Sequence, residues 1–246
     1  MIAGKACTRG CRFCAVDTIR NPPPPDEDEP IKLAEAIKNM GLTYSVITVV
    51  NRDDMDDGGA LHYKKCIDKV HEICPKVGIE FLCSDLSGNV NALEFLLDNS
   101  PLTVFAHNVE TVRRLTPRVR DPRATFDQSL LILKKAKDFR PDIITKTSIM
   151  LGLGETEEDL LSAFRELRDA KVDLLTLGQY LSPGPRYHPV VSFPSPETFD
   201  SLAQIAKEMG FKAIASGPMV RSSYRAESLV AAAKGETFDI ELKVVA

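Results

Sequence analysis

Tyr44-Ser45-Val46-Ile47-Thr48-Val49-Val50-Asn51-Arg52-Asp53-Asp54 joins a β-branched apolar run to four polar residues, and Asp57-Gly58-Gly59 then leads into a helical pattern. An apolar run of this kind reads as a buried strand. Working outward, the same unit recurs: Gly78-Ile79-Glu80-Phe81-Leu82-Cys83, Leu102-Thr103-Val104-Phe105-Ala106, Ile143 to Met150 and Val172 to Leu177 read as further strands. Helical patterns lie at about 31–40, 60–74, 89–98, 109–115, 124–139, 156–170 and 196–209. Gly41, Gly78 and Gly210 stand where helix C-caps belong. Thr156-Glu157-Glu158-Asp159 opens its helix with acidic residues, where the helix dipole favours them. Strands alternating with helices predict βα units around a parallel sheet, an α/β fold. Polar residues gather just after the strands, at Asn51 to Asp54, Ser84-Asp85, His107-Asn108 and Gln179-Tyr180. In a full or partial βα barrel those loops form the active face.

The alternation runs to about residue 216 without a linker or a repeat, which predicts one domain over 1–246 with 217–246 as a C-terminal extension. Pro22-Pro23-Pro24-Pro25 followed by Asp26-Glu27-Asp28-Glu29 is a short stiff loop before a helix, since four prolines cannot join a ladder or a helix interior. The 246 residues include 31 Lys+Arg and 35 Asp+Glu, a formal net charge of −4, with 43% hydrophobic and 27% charged residues. That balance argues against wholesale disorder and gives no electrostatic reason to bind nucleic acid or an anionic membrane. No apolar run approaches the roughly 20 residues of a membrane span. Met1 to Cys7 is too short and polar for a secretory or transit peptide, so the expected location is cytoplasmic, with an organellar matrix left open.

Of six cysteines, Cys66, Cys74 and Cys83 are dispersed, whereas Cys7-Thr8-Arg9-Gly10-Cys11-Arg12-Phe13-Cys14 spaces three thiols as C-x3-C-x2-C. This distribution favours metal chemistry in a reducing compartment over a disulfide scaffold. Three thiolates on a tight loop can hold three irons of a [4Fe–4S] cube and leave the fourth iron without a protein ligand. Gly10 lets the loop fold back, and Arg9 and Arg12 partly offset the cluster's negative charge. Zinc is the alternative, but a structural zinc site wants a fourth ligand nearby and none lies close in sequence. The dispersed cysteines read as small core hydrophobes, and His62, His71 and His188 as surface or internally satisfied histidines.

The cysteine motif resembles that of the radical S-adenosylmethionine enzymes. More narrowly, the chain is similar to the lipoyl synthases through Arg20-Asn21-Pro22-Pro23-Pro24-Pro25-Asp26, Asn51 to Gly59, His107-Asn108-Val109-Glu110-Thr111, Lys146 to Thr156, Leu177-Gly178-Gln179-Tyr180-Leu181-Ser182-Pro183 and Ser216 to Ala226. The C-x3-C-x2-C spacing carries only the superfamily; Leu177-Gly178-Gln179-Tyr180 and Arg221-Ser222-Ser223-Tyr224 carry the narrower likeness. The resemblance implies a partial (βα)6 barrel and a cluster on Cys7, Cys11 and Cys14 whose open iron binds the methionine part of S-adenosylmethionine. It further implies a 5′-deoxyadenosyl radical that opens carbons 6 and 8 of a protein-bound octanoyl chain to sulfur. An octanoylated lipoyl carrier and an electron donor such as ferredoxin or flavodoxin are the implied partners.

Phe13, Asp53, Asn108, Glu110, Lys146, Ser148 and Gln179 are expected to form the S-adenosylmethionine pocket. Asn51 to Asp54 can receive the amino and carboxylate groups, or can be an ordinary polar turn with a buried ion pair. Asn108 and Glu110 suit ribose hydroxyls, although an N-cap explains Asn108 equally well. Lys146 and Ser148, two apart on a strand, face inward together; Lys146 can instead be half of a structural salt bridge. Gly152-Leu153-Gly154 lacks the third glycine and first-strand setting of a dinucleotide loop and shapes a turn.

Lipoyl synthases carry a second [4Fe–4S] cluster, held by an upstream C-x4-C-x5-C motif and by a serine of the Arg-Ser-Ser-Tyr segment. Here that serine is Ser222, and these 246 residues contain no C-x4-C-x5-C. The expectation is a lipoyl synthase-like chain that lacks the second cluster's thiols, either a piece or a divergent member. The rivals are a radical enzyme for another substrate and a catalytically incomplete subunit that binds a lipoyl carrier.

Overall fold

The computed structural model describes residues 1–236. Its elements, in chain order, begin with β1 (Ala6–Cys7), β2 (Asp17–Thr18), α1 (Glu29–Asn39), β3 (Tyr44–Thr48), α2 (Ala60–Ile73) and β4 (Gly78–Leu82). They continue with α3 (Val90–Leu97), β5 (Val104–Ala106), α4 (Thr116–Val119), α5 (Phe126–Phe139), β6 (Ile144–Leu151) and α6 (Glu157–Asp169). β7 (Leu174–Gln179), α7 (Pro196–Glu208), β8 (Ala213–Gly217) and α8 (Ala226–Lys234) complete the fold. β3 to β8 form one six-stranded sheet in sequential order, every neighbour parallel. β3 and β8 are not paired to each other, so this is the open, partial βα barrel that the alternation predicts.

The apolar strands are apolar because helices cover one face while the barrel interior fills the other. Every residue of β5 and β7 is buried. Helices α1, α2, α3 and α5 pack one flank with Ile37, Tyr63, Ile67 and Leu93, and α6 and α7 pack the other with Phe164, Leu167 and Phe199. In α6, Thr156 Oγ1 accepts from Asp159 N–H while the Asp159 carboxylate accepts from Thr156 N–H, a reciprocal capping box.

Three details differ from the sequence reading. The segment 109–115 is not helical. Glu110 N–H donates to Ser148 O and Glu110 O accepts from Met150 N–H, so the backbone prolongs the ladder beside β6; helix starts only at Thr116, just before Pro117. Gly78 is no C-cap but the first residue of β4, opposite Tyr44, where an added Cβ would lie 2.6 Å from the Tyr44 ring. The chain past residue 217 is, as far as Lys234, part of the barrel. Helix α8 packs Leu229 and Val230 against Val104, Ile144 and Leu174 inside it. Residues 237–246 of the expected extension lie outside the described residues. Among the described residues no helix is long and apolar enough to cross a membrane.

Candidate functional site

The cysteine loop lies across the C-terminal ends of the first strands and is held there by charge. Arg9 is buried, 3% exposed, and its guanidinium donates from Nη1 to Asp85 Oδ2 at 2.6 Å and from Nη2 to Asp53 Oδ1 at 2.7 Å. Thr8 Oγ1 donates to Asp53 at 2.8 Å, and Ser87 Oγ donates to the same carboxylate at 2.8 Å. From the opposite side, Gly10 N–H donates to Asp121 Oδ2 at 2.9 Å, and Arg123 joins Asp121, Asp53 and the Thr8 carbonyl. Burial works against ionising Asp53 and Asp85, yet the hydrogen bonds from Arg9 outweigh it and hold both below the ordinary carboxylate range. Asp121 is held down to about 2: burial opposes this, but Arg123 and the Gly10 N–H prevail.

This corrects two expectations. Asp53 does not line the cavity into which the three thiols open; it belongs to an ordinary polar turn and is spent on the buried Arg9. Arg9 in turn is neutralised by two carboxylates instead of offsetting cluster charge. A guanidinium so clamped supplies stiffness, because its planar fork fixes the orientation of the loop between the two acids.

Cys7, Cys11 and Cys14 open into one cavity, walled further by Phe13, Asn108 and Glu110. Backbone N–H groups already point at the sulfurs: Arg9 N and Asn51 N donate to Cys7 Sγ, each at 3.4 Å, and Asp121 N donates to Cys11 Sγ at 3.3 Å. Burial pushes the Cys11 thiol up to about 11 and the Cys14 thiol upward as well, so both want a cation that would stabilise the thiolate. Three half-buried thiols with N–H donors around them fit a [4Fe–4S] cluster; hydrogen bonds to the sulfurs are one lever by which a protein tunes such a group. Arg120 stands on the cavity wall, where its buried Nε has no hydrogen-bond partner among the described residues, and Glu110 is pushed up by burial and eased by Arg120. A cavity walled by a carboxylate, an amide and a guanidinium whose Nη1 is already bonded to Ser129 Oγ also fits a zwitterionic, hydroxyl-rich cofactor.

A second cavity adjoins the first through the shared residues Phe13, Asn108 and Glu110, and it is lined further by Ser148, Met150, Gln179, Leu181, Arg221 and Ser222. Phe13, Asn108, Glu110, Ser148, Gln179 and Ser222 are therefore brought together, and Lys146 is not. Lys146 Nζ is 2.7 Å from Glu80 Oε1 with both side chains 1% exposed, and Tyr44 OH donates to the other Glu80 oxygen. It is a salt bridge inside the barrel and lines neither cavity. The Gln179 amide is spent on the carbonyls of Tyr180 and Ser192, which tie down the loop after β7. Ser222 is the only member of a second-cluster ligand set at that wall: Cys66, Cys74 and Cys83 are core residues, so the described residues do not by themselves fit a second iron–sulfur group.

Sequence reasoning missed Arg120 and Asp121, because they fall between the helices expected at 109–115 and 124–139 and follow no expected strand. His107 was placed correctly at a strand end, but it faces inward. Its ring nitrogens lie 3.0 Å from Cys83 O and 2.9 Å from Ser129 Oγ.

Comparison with known proteins agrees with this geometry. The Radical SAM superfamily matches residues 1–167. The chain is 53% identical over 226 residues to the mitochondrial lipoyl synthase of Bos taurus, covering 92% of this chain and 60% of that protein. It is 53% identical over 229 residues to the chloroplastic lipoyl synthase of Arabidopsis thaliana, covering 93% of this chain and 58% of that protein. The chain thus spans about three fifths of the length of these curated relatives. Among solved structures, methylornithine synthase (PylB) superposes with a TM-score of 0.65 over 98% of this chain and 82% of its own, at 14% identity, a likeness of fold.

Proposed function

The chain belongs to the Radical SAM superfamily, and on that premise we propose that it is the barrel of a sulfur-inserting enzyme of the lipoyl synthase type, acting on carbons 6 and 8 of a protein-bound octanoyl chain. The observation that carries this reading is the pair of adjoining cavities: one presents three thiols, the next presents Ser222 beside apolar Met150 and Leu181, and Phe13, Asn108 and Glu110 belong to both.

Membership in the superfamily implies a [4Fe–4S] cluster and S-adenosylmethionine, and Cys7, Cys11 and Cys14 would hold the cluster. When bound, these groups would supply one-electron chemistry able to take hydrogen from an unactivated carbon. The chain's own residues bind and position. Asn108 and Glu110 receive the hydroxyls of the cofactor at the boundary of the two cavities, and the Arg120 guanidinium faces its carboxylate. Ser148, Met150 and Leu181 would receive the acyl chain in the cavity that adjoins the cofactor's. The loop after β7, held by Gln179 and by the Tyr180 OH on His188 O, keeps water from this junction. For a second cluster the wall of the second cavity offers the Ser222 hydroxyl and no thiol.

The proposed partners are an octanoylated lipoyl carrier domain and a low-potential donor of the ferredoxin or flavodoxin class. The proposed location is an organellar matrix or the cytoplasm, the named relatives being mitochondrial and chloroplastic. The test is anaerobic reconstitution with iron and sulfide, followed by S-adenosylmethionine and reductant. About four irons per chain and 5′-deoxyadenosine are expected. Replacing Cys7, Cys11 and Cys14 together by Ala should remove both, and iron content unchanged by that replacement would reject the reading.

A further inference from the structure

Away from both cavities, Glu29, His62 and Cys66 bring a carboxylate oxygen, an imidazole nitrogen and a thiol sulfur to within 4.8 Å of one another. Glu29 is the first residue of α1, while His62 and Cys66 are four apart on α2 and so share one face of it. His62 Nε2 lies 2.6 Å from Glu29 Oε2 and 3.7 Å from Cys66 Sγ. Cys66 is fully buried, Glu29 and His62 are half-buried, and His62 lines a cleft shared with Asp54, Asp56 and Asp57.

A core thiol needs no ligand, and a His–Glu hydrogen bond is common by itself. What distinguishes this cluster is convergence. One nitrogen, Nε2, reaches both the thiol and the carboxylate, and all three donor atoms lie within 4.8 Å of one another. Tetrahedral zinc, with bonds of about 2.0 Å to nitrogen and about 2.3 Å to sulfur, sets their separation near 3.6 Å. The observed 3.7 Å matches. The nitrogen–oxygen separation of 2.6 Å is shorter than such a site needs, so Glu29 Oε2, which also accepts from Ala3 N–H, has to draw back from Nε2 as the ion enters.

We infer that the junction of α1 and α2 is a binding site for a zinc-class divalent cation, held by Glu29, His62 and Cys66 with water from the acidic cleft at the fourth position. Carboxylate, imidazole and thiolate together select Zn²⁺ over Mg²⁺ or Ca²⁺, which favour oxygen ligands. On binding, the Cys66 thiol gives its proton to water and His62 carries its remaining proton on Nδ1; no electron moves. Glu29 also accepts from Ala3 N–H at 2.7 Å, so the ion would tie the N-terminal stretch, α1 and α2 at one point and strengthen the frame beside the cysteine loop.

The test uses Co²⁺ as a spectroscopic stand-in for Zn²⁺ on the 246-residue chain carrying Cys7→Ala, Cys11→Ala and Cys14→Ala, which removes competing thiols. One equivalent of Co²⁺ should produce a thiolate-to-metal absorption band that Zn²⁺ displaces. Adding Cys66→Ser should abolish the band, and His62→Gln should weaken binding by more than roughly a hundredfold, since outer partners of metal ligands alone are worth about 10–100-fold. A second measurement, on the cluster-loaded chain with its other cysteines intact, is the melting temperature with and without Zn²⁺. Zn²⁺ should raise it, and Cys66→Ser should cancel the rise. No cobalt band with the triple variant folded by circular dichroism, a band that survives Cys66→Ser, or a Zn²⁺ effect indifferent to Cys66 would overturn the site.

Discussion

Arg9 shows how a single side chain stiffens the loop that carries the three thiols. Its guanidinium is buried between Asp85 and Asp53, and removing the cation leaves Asp85 without its salt-bridge partner and Asp53 with Arg123 alone. Arg9→Met should therefore destabilise the fold by about 3–5 kcal/mol, read from urea unfolding near neutral pH, and should lower retained iron in the same samples. His107 carries a pH signature. Its burial lowers the imidazolium pKa from 6.5 to about 4; Asp85 opposes the shift and Arg120 reinforces it. The unfolded chain thus takes up this proton more readily than the folded one. Stability from neutral His107 is fully present above about pH 6.5 and is lost as pH falls from there towards about 4, a contribution of roughly 3 kcal/mol. His107→Gln should flatten the unfolding free energy across that window, as read from denaturant titrations at a series of pH values. A wild-type slope retained in the variant would exclude His107 as its source.

At the scale of elements, β7 and the loop after β8 meet at a glycine. A Cβ on Gly178 would lie 2.1 Å from Val220 O, a backbone atom that cannot swing aside. Gly178→Ala should push away the segment that bears Arg221 and Ser222, at a stability cost of about 1–3 kcal/mol. Its activity should fall further than its Tm implies, with cluster content unchanged, because Cys7, Cys11 and Cys14 lie on another element. The capping box of α6 is a milder case: Thr156→Ala should cost about 1 kcal/mol in thermal unfolding and leave cofactor binding as it was. The elements were largely readable in advance, because β-branched runs and helical periodicity are local signals. β8 was not named from the sequence, since Ala213-Ile214-Ala215-Ser216-Gly217 has little strand signal and is held by pairing with β7. The error at 109–115 has the same root: the ladder hydrogen bonds that recruit Glu110 come from β6, which the segment does not contain.

For the whole molecule, an open six-stranded barrel leaves its interior to be filled from its ends. Helix α8 closes one end with Leu229 and Val230, while the cysteine loop and the loop after β7 cover the other. Replacing Leu229 by Ala should cost about 2–5 kcal/mol, as expected of a buried leucine, and broaden the thermal transition. If α8 were only an appended tail, that replacement would leave the melting temperature unmoved.

Local sequence determined the alternation of strands and helices, the polar strand ends and the spacing of Cys7, Cys11 and Cys14, because each is a matter of neighbours along the chain. Tertiary structure alone decided which polar residues were free to act. Asp53 and Lys146 looked like pocket residues by position, yet Asp53 meets Arg9 from 44 residues away and Lys146 meets Glu80 from 66 residues away, and each is spent there. Arg120 comes from a segment that the sequence reading passed over, and still it stands on the wall of the first cavity. The physical reason is that burial and partnership set whether a charged or polar group has capacity left for a ligand, and both depend on contacts between distant segments that no local pattern encodes.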